Sequence, residues 1–289
     1  MKKSQEEIVR VNCLRHIYPD RTEISICGLE FTIRKGERVA VLGANGSGKT
    51  TLLSHIMGLL EPVDGLVQVF GCNPKKQFHE VRKRIGVVFQ NSEEQIIGPT
   101  VIDDVAFAPI NHRFHPIQVK EMVESIMQEL DIWHLRDKIP HYLSGGEQKK
   151  VAVAGAMVMK PDLLILDEPF TGLDPKSRQD MIKLMNSLNT KHGTSLVITT
   201  HDMDIIPQVA DQVYILNRGQ MVLKGRPEEV LTRIDILHEA GLEPPIMVDL
   251  FNQLIAAGLP VEPAISSSHA VQQLVELYQG KHRNIGSLS

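Results

Sequence analysis

"RVAVLGANGSGKTTLLSHIMGLL", Arg38–Leu60, decides how the rest of the chain is read. Its first residues are a short β-branched and apolar run, the pattern of a strand covered on both faces. "GANGSGKT", Gly43–Thr50, then fits G-x-x-x-x-G-K-[ST]. An apolar run of helical character follows. Strand, glycine-rich turn and helix in this order form a phosphate cradle. The glycines let the backbone wrap an anion closely, and the helix start aims N–H groups and the positive end of its dipole at it. In such a cradle Gly43, Ala44, Asn45, Gly46, Ser47, Gly48 and Thr51 supply backbone and hydroxyl contacts. Lys49 reaches the β- and γ-phosphates, and Thr50 offers its hydroxyl to Mg²⁺. A plain strand–helix turn would need neither the lysine nor the hydroxyl.

Working outward, three more apolar runs have the same character: "IGVVFQ" (Ile85–Gln90), "LLILDE" (Leu163–Glu168) and "SLVITT" (Ser195–Thr200). They predict a parallel sheet. Each ends in a group with chemistry: Gln90, Asp167 with Glu168, and His201 just past the last run. In open α/β sheets ligands bind at the carboxyl edge of the strands. A carboxylate there (Asp167) can hold Mg²⁺, and its neighbour (Glu168) can orient or deprotonate an attacking water. His201 is a donor or acceptor at neutral pH, and the Gln90 amide can both coordinate Mg²⁺ and sense a γ-phosphate. Singly, each of these reads equally well as an ordinary strand end. Sharing an edge with Lys49 is what sets them apart. Guanine recognition would call for Asn/Thr-Lys-x-Asp, and the nearest stretch, "TKHG" (Thr190–Gly193), ends in glycine; the reading is therefore ATP.

Before the cradle, "VRVNCLRHIY" (Val9–Tyr18) and "ICGLEFTI" (Ile26–Ile33) read as antiparallel strands. Tyr18 either stacks on adenine or is a half-buried strand aromatic. Residues 101–145 read as a helical insertion with breaks at Pro109, Pro116 and Pro140. Residues 1–225 are thus expected to form an α/β ATPase domain, and 226–289 a helical extension. In the extension Ile246, Leu250, Phe251, Leu254 and Ile255 fall on one helical face, and Val271, Leu274, Val275 and Tyr278 on another. These faces can pack on the core or on a second subunit.

Composition narrows the function classes. The net charge is −4 over 289 residues, with no basic signature of nucleic-acid binding. Residues 225–289 hold four Lys/Arg and eight Asp/Glu, so the whole deficit lies there. The longest apolar run, "VAVAGAMVM" (Val151–Met159), falls well short of the roughly 20 residues of a membrane span. A soluble protein is expected, with any membrane role exercised through a partner. Cys13, Cys27 and Cys72 show no metal-ligand spacing and read as reduced thiols. His112 and His115 read as surface-loop residues.

A second glycine-rich turn, "YLSGGEQKK" (Tyr142–Lys150), has no buried strand before it and no lysine placed as Lys49 is. Ser144 with Glu147 three residues on is a helix-capping pattern. The same residues make an anion nest from Ser144, Gly145 and Gly146. Such a nest suits a lid over a phosphate held elsewhere.

The phosphate loop, Gln90, "LSGGE", "LLILDEP", "TGLDP" and His201 together resemble the ATPase subunits of ABC transporters over about Val9–Val230. "FQNSEEQIIGPTVIDDVAFAPIN", "LSGGEQKKVAVAGAM" and "EAGLEPPIMVDLFNQLIAAGL" are similar to the energy-coupling-factor importers and their cobalt/nickel relatives, which extends the resemblance to nearly the whole chain. The resemblance implies an α/β P-loop fold with an N-terminal antiparallel subdomain, a parallel-sheet core, a helical insertion and a short C-terminal extension. It implies ATP and Mg²⁺ as cofactors. Tyr18 is then the adenine platform, Gln90 the coupling glutamine, Asp167 the magnesium aspartate, Glu168 the catalytic base and His201 the switch histidine. Asp174 is the D-loop aspartate, and Ser144, Gly145, Gly146 and Glu147 close over ATP on a partner. Phe170 departs from the Thr or Ser common after the proline. The partners implied are a second ATPase subunit (identical or paralogous) and a transmembrane importer subunit, with or without a substrate-binding membrane protein. No nucleic acid is implied, and the place of action is the cytoplasmic face of the cell membrane. Glu93, Glu94, Asp103 and Asp104 offer carboxylates for a basic membrane partner. The alternative is an ABC-type ATPase of DNA repair or translation. The former carry long coiled-coil insertions and the latter two such domains in one chain.

Overall fold

The structure, a computed structural model, describes residues 6–285, with side chains as far as Gln279. One ten-stranded sheet runs in the order β3-β1-β2-β10-β9-β4-β8-β7-β6, with β5 paired to β1. Its N-terminal arm is antiparallel: β1 (Glu7–Ile17) pairs with β2 (Glu23–Gly28), β3 (Phe31–Arg34) and β5 (Asp64–Val69). The other half is parallel and comprises β4 (Arg38–Leu42), β6 (Ile85–Val88), β7 (Leu163–Asp167), β8 (Ser195–Thr199) and β9 (Gln212–Asn217). β10 (Gln220–Gly225) returns antiparallel to β9 and joins the two halves through β2.

The parallel strands alternate their burial between two cores, as a period of two requires. Leu163, Ile165, Val197, Val39 and Val41 face α1 (Lys49–Ile56), with Leu52, Leu53 and Ile56. Leu164, Leu166, Leu196 and Ile198 face α6 (Gly145–Met157) and α7 (Pro175–His192). The same cluster takes in α4 (Val101–Asn111) and α5 (Pro116–Glu129). Short helices α2 (Phe78–Val81), α3 (Ser92–Gln95), α8 (Ile206–Val209) and α9 (Pro227–Val230) fill the connections.

Register fixes the working edge. Asp167 lies beside Thr199, Thr199 beside Val41, and Val88 beside Leu166. The residues that follow each strand (the phosphate loop, Gln90, Glu168 and His201) therefore leave the sheet along one line.

Past β10, α10 (Ile234–Glu239) sends Leu237 into a core shared with Ala40, Leu42, Val213 and Ile215. α11 (Ile246–Ala256) and α12 (Ser267–Ile285) have a small cluster of their own around Phe251, Ala264 and Ala270. Residues 286–289 of the extension lie outside those described.

Four sequence expectations are corrected. "ICGLEFTI" is two strands, because Gly28 turns at φ 93° and a Cβ there would lie 2.6 Å from the Met221 carbonyl oxygen. Pro109 sits inside the last turns of α4 instead of breaking it, whereas the expected break at Pro116 is present, the proline opening α5 at its first turn, where a missing N–H costs nothing. Cys13 and Cys27 are joined by a disulfide, their Cα atoms 4.0 Å apart; the β1–β2 register brings the two opposite one another, which their separation in sequence does not suggest. On α11 the buried face is Val248 and Phe251, while Ile246, Leu250 and Ile255 are exposed. On α12 Val271, Leu274, Val275 and Tyr278 are exposed as well.

Candidate functional site

The phosphate loop is clamped from behind. Gly43 has to be glycine, since a Cβ would stand 2.3 Å from the Leu216 carbonyl oxygen. Gly48 caps α1 in the left-handed region at φ 110°. The Ser47 carbonyl accepts from the Gly219 N–H at 3.0 Å, tying the loop to the β9–β10 turn. Lys49 Nζ donates to Gly43 O at 2.6 Å and to Ala44 O at 3.1 Å. Burial lowers the Lys49 ammonium below the ordinary lysine range, while Glu168 and Asp167 pull it back up. The lysine is thus electrostatically coupled to both acids.

The cradle suits a phosphate. The Ser47 hydroxyl is buried without a hydrogen-bond partner, a group whose burial is costly unless a ligand satisfies it. The first N–H groups of α1 have no acceptor within the helix. A Cβ on Gly46 would meet open space. The oxygen donors at this edge (Thr50 hydroxyl, Asp167 carboxylate and Gln90 amide) are the hard ligands that Mg²⁺ selects.

Asp167 ends β7 half-buried and accepts a short hydrogen bond from the Thr199 hydroxyl. Glu168 follows with φ 47°, an uncommon conformation for a residue with a side chain. Its N–H donates to Thr199 O and to Thr199 Oγ1, both at 3.1 Å. Its carboxylate lies 3.0 Å from His201 Nδ1 and accepts from the Thr171 hydroxyl at 3.3 Å. The Glu168 side chain is 13% exposed against 72% for His201, so a sheltered acid meets a solvent-exposed partner. Strain stored in the backbone of an acid at a strand end is a mark of functional sites.

Tyr18 lies across the loop, its hydroxyl 2.9 Å from Thr51 Oγ1. Behind it His16 packs edge-on at 4.5 Å, and His55 edge-on to His16 at 4.9 Å. This file of rings holds the Tyr18 ring beside the cradle. Phe170, the departure from the family pattern, is 3% exposed in the core beneath α6 and α7, so it acts as packing.

The second turn opens α6, and its Gly145 shares a groove with Gln90. Ser144 caps α6; its N–H and hydroxyl donate to Glu147 Oε2 at 2.8 and 2.7 Å, and it accepts from the Glu147 N–H at 3.4 Å. These bonds hold the Glu147 carboxyl below the usual carboxylate range. Gly146 packs where a Cβ would be 2.7 Å from Ser177 Oγ, whereas Gly145 is open on its outer side. Asp174 caps α7, accepting from Lys176 N at 2.9 Å, Ser177 N at 3.1 Å and Ser177 Oγ at 2.5 Å. The two helix starts are thus braced side by side and face outward.

Sequence reading missed Thr199, Thr171, Lys149, His16 and His55. Two carried a signal. Lys149 interrupts the inward stripe Ala152, Val153 and Met157 of α6, and His55 interrupts Leu52 and Ile56 of α1. The pairing of Thr199 with Asp167 needed the strand register. Of the acids offered for a partner, Asp104 accepts from Ile97 N at 2.9 Å and Gly98 N at 3.0 Å, and Asp103 accepts from the Thr100 hydroxyl at 2.5 Å. Glu93 and Glu94 are engaged locally as well, Glu93 lying 3.5 Å from His141 Nδ1 and Glu94 accepting from the Asn91 amide at 3.0 Å, and both are exposed.

Comparison with known proteins identifies the family. The ABC transporter family model matches residues 26–171. The energy-coupling factor transporter ATP-binding protein EcfA of Methanoculleus marisnigri is 39% identical over 92% of this chain and 96% of its own. That of Methanocaldococcus jannaschii is 38% identical over 95% and 99%. Among solved structures, cbiO1 of Clostridium perfringens, described as part of the ABC transporter complex cbiONQ, superposes with a TM-score of 0.74 at 32% identity, covering 87% of this chain and all of that one. The chain belongs to the ABC transporter family, as an ATP-hydrolysing subunit of the energy-coupling-factor type.

Proposed function

We propose that the chain drives uptake of a transition-metal ion (cobalt or nickel) or a vitamin through a separate membrane protein, hydrolysing ATP between two such subunits. The observation that carries this reading is the division of parts. Lys49, Asp167, Glu168 and His201 converge on one edge, while the Ser144–Glu147 nest caps the start of a separate helix, α6, with Gly145 open on its outer side. One chain's cradle and another chain's nest complete a site.

In that site the phosphate-loop N–H groups and Lys49 hold the β- and γ-phosphates, and Tyr18 stacks on adenine. Thr50, Asp167 and Gln90 would hold Mg²⁺, which supplies charge neutralisation across the phosphates. Glu168 aligns the attacking water and takes its proton. The water oxygen bonds to the γ-phosphorus as the bond to the β–γ bridging oxygen breaks. His201, hydrogen-bonded to Glu168, fixes that carboxylate and addresses the γ-phosphate. Ser144, Gly145 and Gly146 donate to the γ-phosphate of the partner's ATP, with Glu147 bracing the helix start. Asp174 contacts the partner beside it.

Two surfaces support the partners. Ile246, Leu250, Val271 and Val275 leave an apolar face on the C-terminal extension, which suits a second ATPase subunit. A groove of 380 Å³ lined by Ile102, Ile110, Phe114, Val119 and Trp133 lies in the helical insertion. It suits an amphipathic segment of a membrane protein at the cytoplasmic face. Among the described residues no helix is long and apolar enough to cross a membrane.

Reconstitution in liposomes with the membrane proteins that co-purify tests the reading. ATP-dependent uptake of cobalt, nickel or a vitamin, abolished by Glu168→Gln, is the expected result. Turnover with no membrane protein retained, and none lost on reversing Glu93 and Glu94, would sink it.

A further inference from the structure

Lys149 is the only Lys, Arg, Asp or Glu in the buried set among the described residues, at 4% exposure. It sits one turn into α6, directly behind the Ser144 cap. Burying an ammonium is costly, and an apolar residue of similar volume is often neutral or better for stability. Stability alone therefore gives no reason for a lysine here. Its single hydrogen-bond contact supplies one: Nζ donates to the backbone carbonyl of Gln90 at 2.8 Å. Asp167 and Glu168 are its electrostatic neighbours and oppose the loss of charge that burial favours. Lys149 and Gln90 also line one groove of 380 Å³ with Gly145, Glu94 and Gly172. The start of α6, the segment after β6 and the turn before α7 thus meet around one buried cation.

We infer that Lys149 is a positioning residue for ATP hydrolysis, pinning the Gln90 backbone to α6. The placement of the Gln90 amide at this chain's own metal and the placement of the Ser144 nest on a partner's nucleotide are then set by a single contact. The inference rests on the roles proposed above for Gln90 and Ser144. A donor on a backbone carbonyl suits this task, since it moves the main chain whatever the Gln90 side chain is doing. A lysine's length lets the bond survive small rotations of α6 while transmitting larger ones.

The test uses the full-length purified protein with ATP and Mg²⁺. Lys149→Met and Lys149→Gln are made side by side, because neither side chain reaches Gln90 O and one folded variant suffices. Expected are a fall in kcat of about 10–100-fold, the scale of a misplacement near 1 Å, and a several-fold rise in the Mg²⁺ concentration for half-maximal turnover. Binding of a fluorescent ATP analogue in EDTA and the Tm stay as in the parent, and Lys149→Arg recovers most of kcat. Parental kcat and Mg²⁺ midpoint in the Met and Gln variants overturn the inference. So does a fall in kcat accompanied by equal losses in metal-free nucleotide binding and Tm, which marks a purely structural role. Gln90→Ala separates the two levels of argument. If it shifts the Mg²⁺ midpoint while Lys149→Met does not, the inference alone fails. If Gln90→Ala is silent, the role given to Gln90 fails and takes the inference with it.

Discussion

The two glycine-rich turns of this chain are built on opposite plans. Gly43–Thr50 follows a strand whose Val39–Leu42 are wholly buried, is tied to the β9–β10 turn, and cannot accept a Cβ at Gly43. Ser144–Glu147 follows a short 3₁₀ turn, Pro140–Tyr142, whose tyrosine is 84% exposed, and it is held by its own cap. The first turn is made rigid by the fold around it. The second is ordered by its own cap and by the packing of Gly146 on Ser177, and leaves the outer side of Gly145 open. A cradle that serves its own chain is walled in by that chain. A nest that serves another chain has to stay accessible to it, and an N-cap is the cheapest way to order it beforehand.

The largest expected effect sharpens the first half of the contrast. Glu168→Gln keeps the shape of the edge and removes the proton acceptor, so phosphate release should fall by roughly 10²–10⁴-fold with ATP binding intact. A loss of only a few-fold would mean that the strained acid is not the base. Ser144→Arg comes next. Turnover should drop on the order of 10²-fold, as for removal of a preorganised anion donor. Nucleotide binding to the monomer should persist, and ATP-dependent dimers should vanish from size-exclusion chromatography. Parental turnover in this variant would reduce the second turn to a helix start.

A glycine pair breaks the comparison more finely. Alanine at Gly43 collides with the Leu216 carbonyl and should cost upwards of about 1–3 kcal/mol, the scale of an overpacked core. Alanine at Gly145 meets no atom within 4 Å, so thermal unfolding should match the parent while turnover falls as the partner's phosphate is crowded. Equal stability losses at both positions would show that the two turns are alike after all.

Much of this was legible beforehand, for a physical reason. The parallel strands are buried on both faces and read as unbroken apolar runs, so their ends (Gln90, Asp167, Glu168 and His201) could be placed without coordinates. Contacts set by register were not legible. Thr199 reaches Asp167, Cys13 meets Cys27, and His16 backs Tyr18 only because particular strands lie side by side. The stripe of α11 left its cover open, because helical periodicity reports which residues share a face but not what covers it; Ile246, Leu250 and Ile255 are exposed. The inward place of Lys149 showed only as a break in the apolar stripe of α6.

The smallest effect concerns the cap itself. Glu147 accepts from both the Ser144 hydroxyl and N–H, and its carboxyl is held below the ordinary range chiefly by that hydroxyl. A depressed folded-state value means the ionised cap adds stability above the unfolded value, near 4.3 for glutamate. That contribution drains away as pH falls through the lower folded value. Glu147→Gln retains an acceptor but not the charge at the N-terminus of α6, a difference of about 0.3–1 kcal/mol at an exposed helix start. The variant should therefore melt slightly below the parent at neutral pH, with the gap closing only below about pH 4. A side-chain NMR titration of Glu147 should likewise show a midpoint lower than that of an unbonded glutamate. A midpoint at the ordinary value would mean the cap is open in solution. The nest would then be ordered by the arriving nucleotide instead of being ready for it, and the two turns would differ in timing as well as in enclosure.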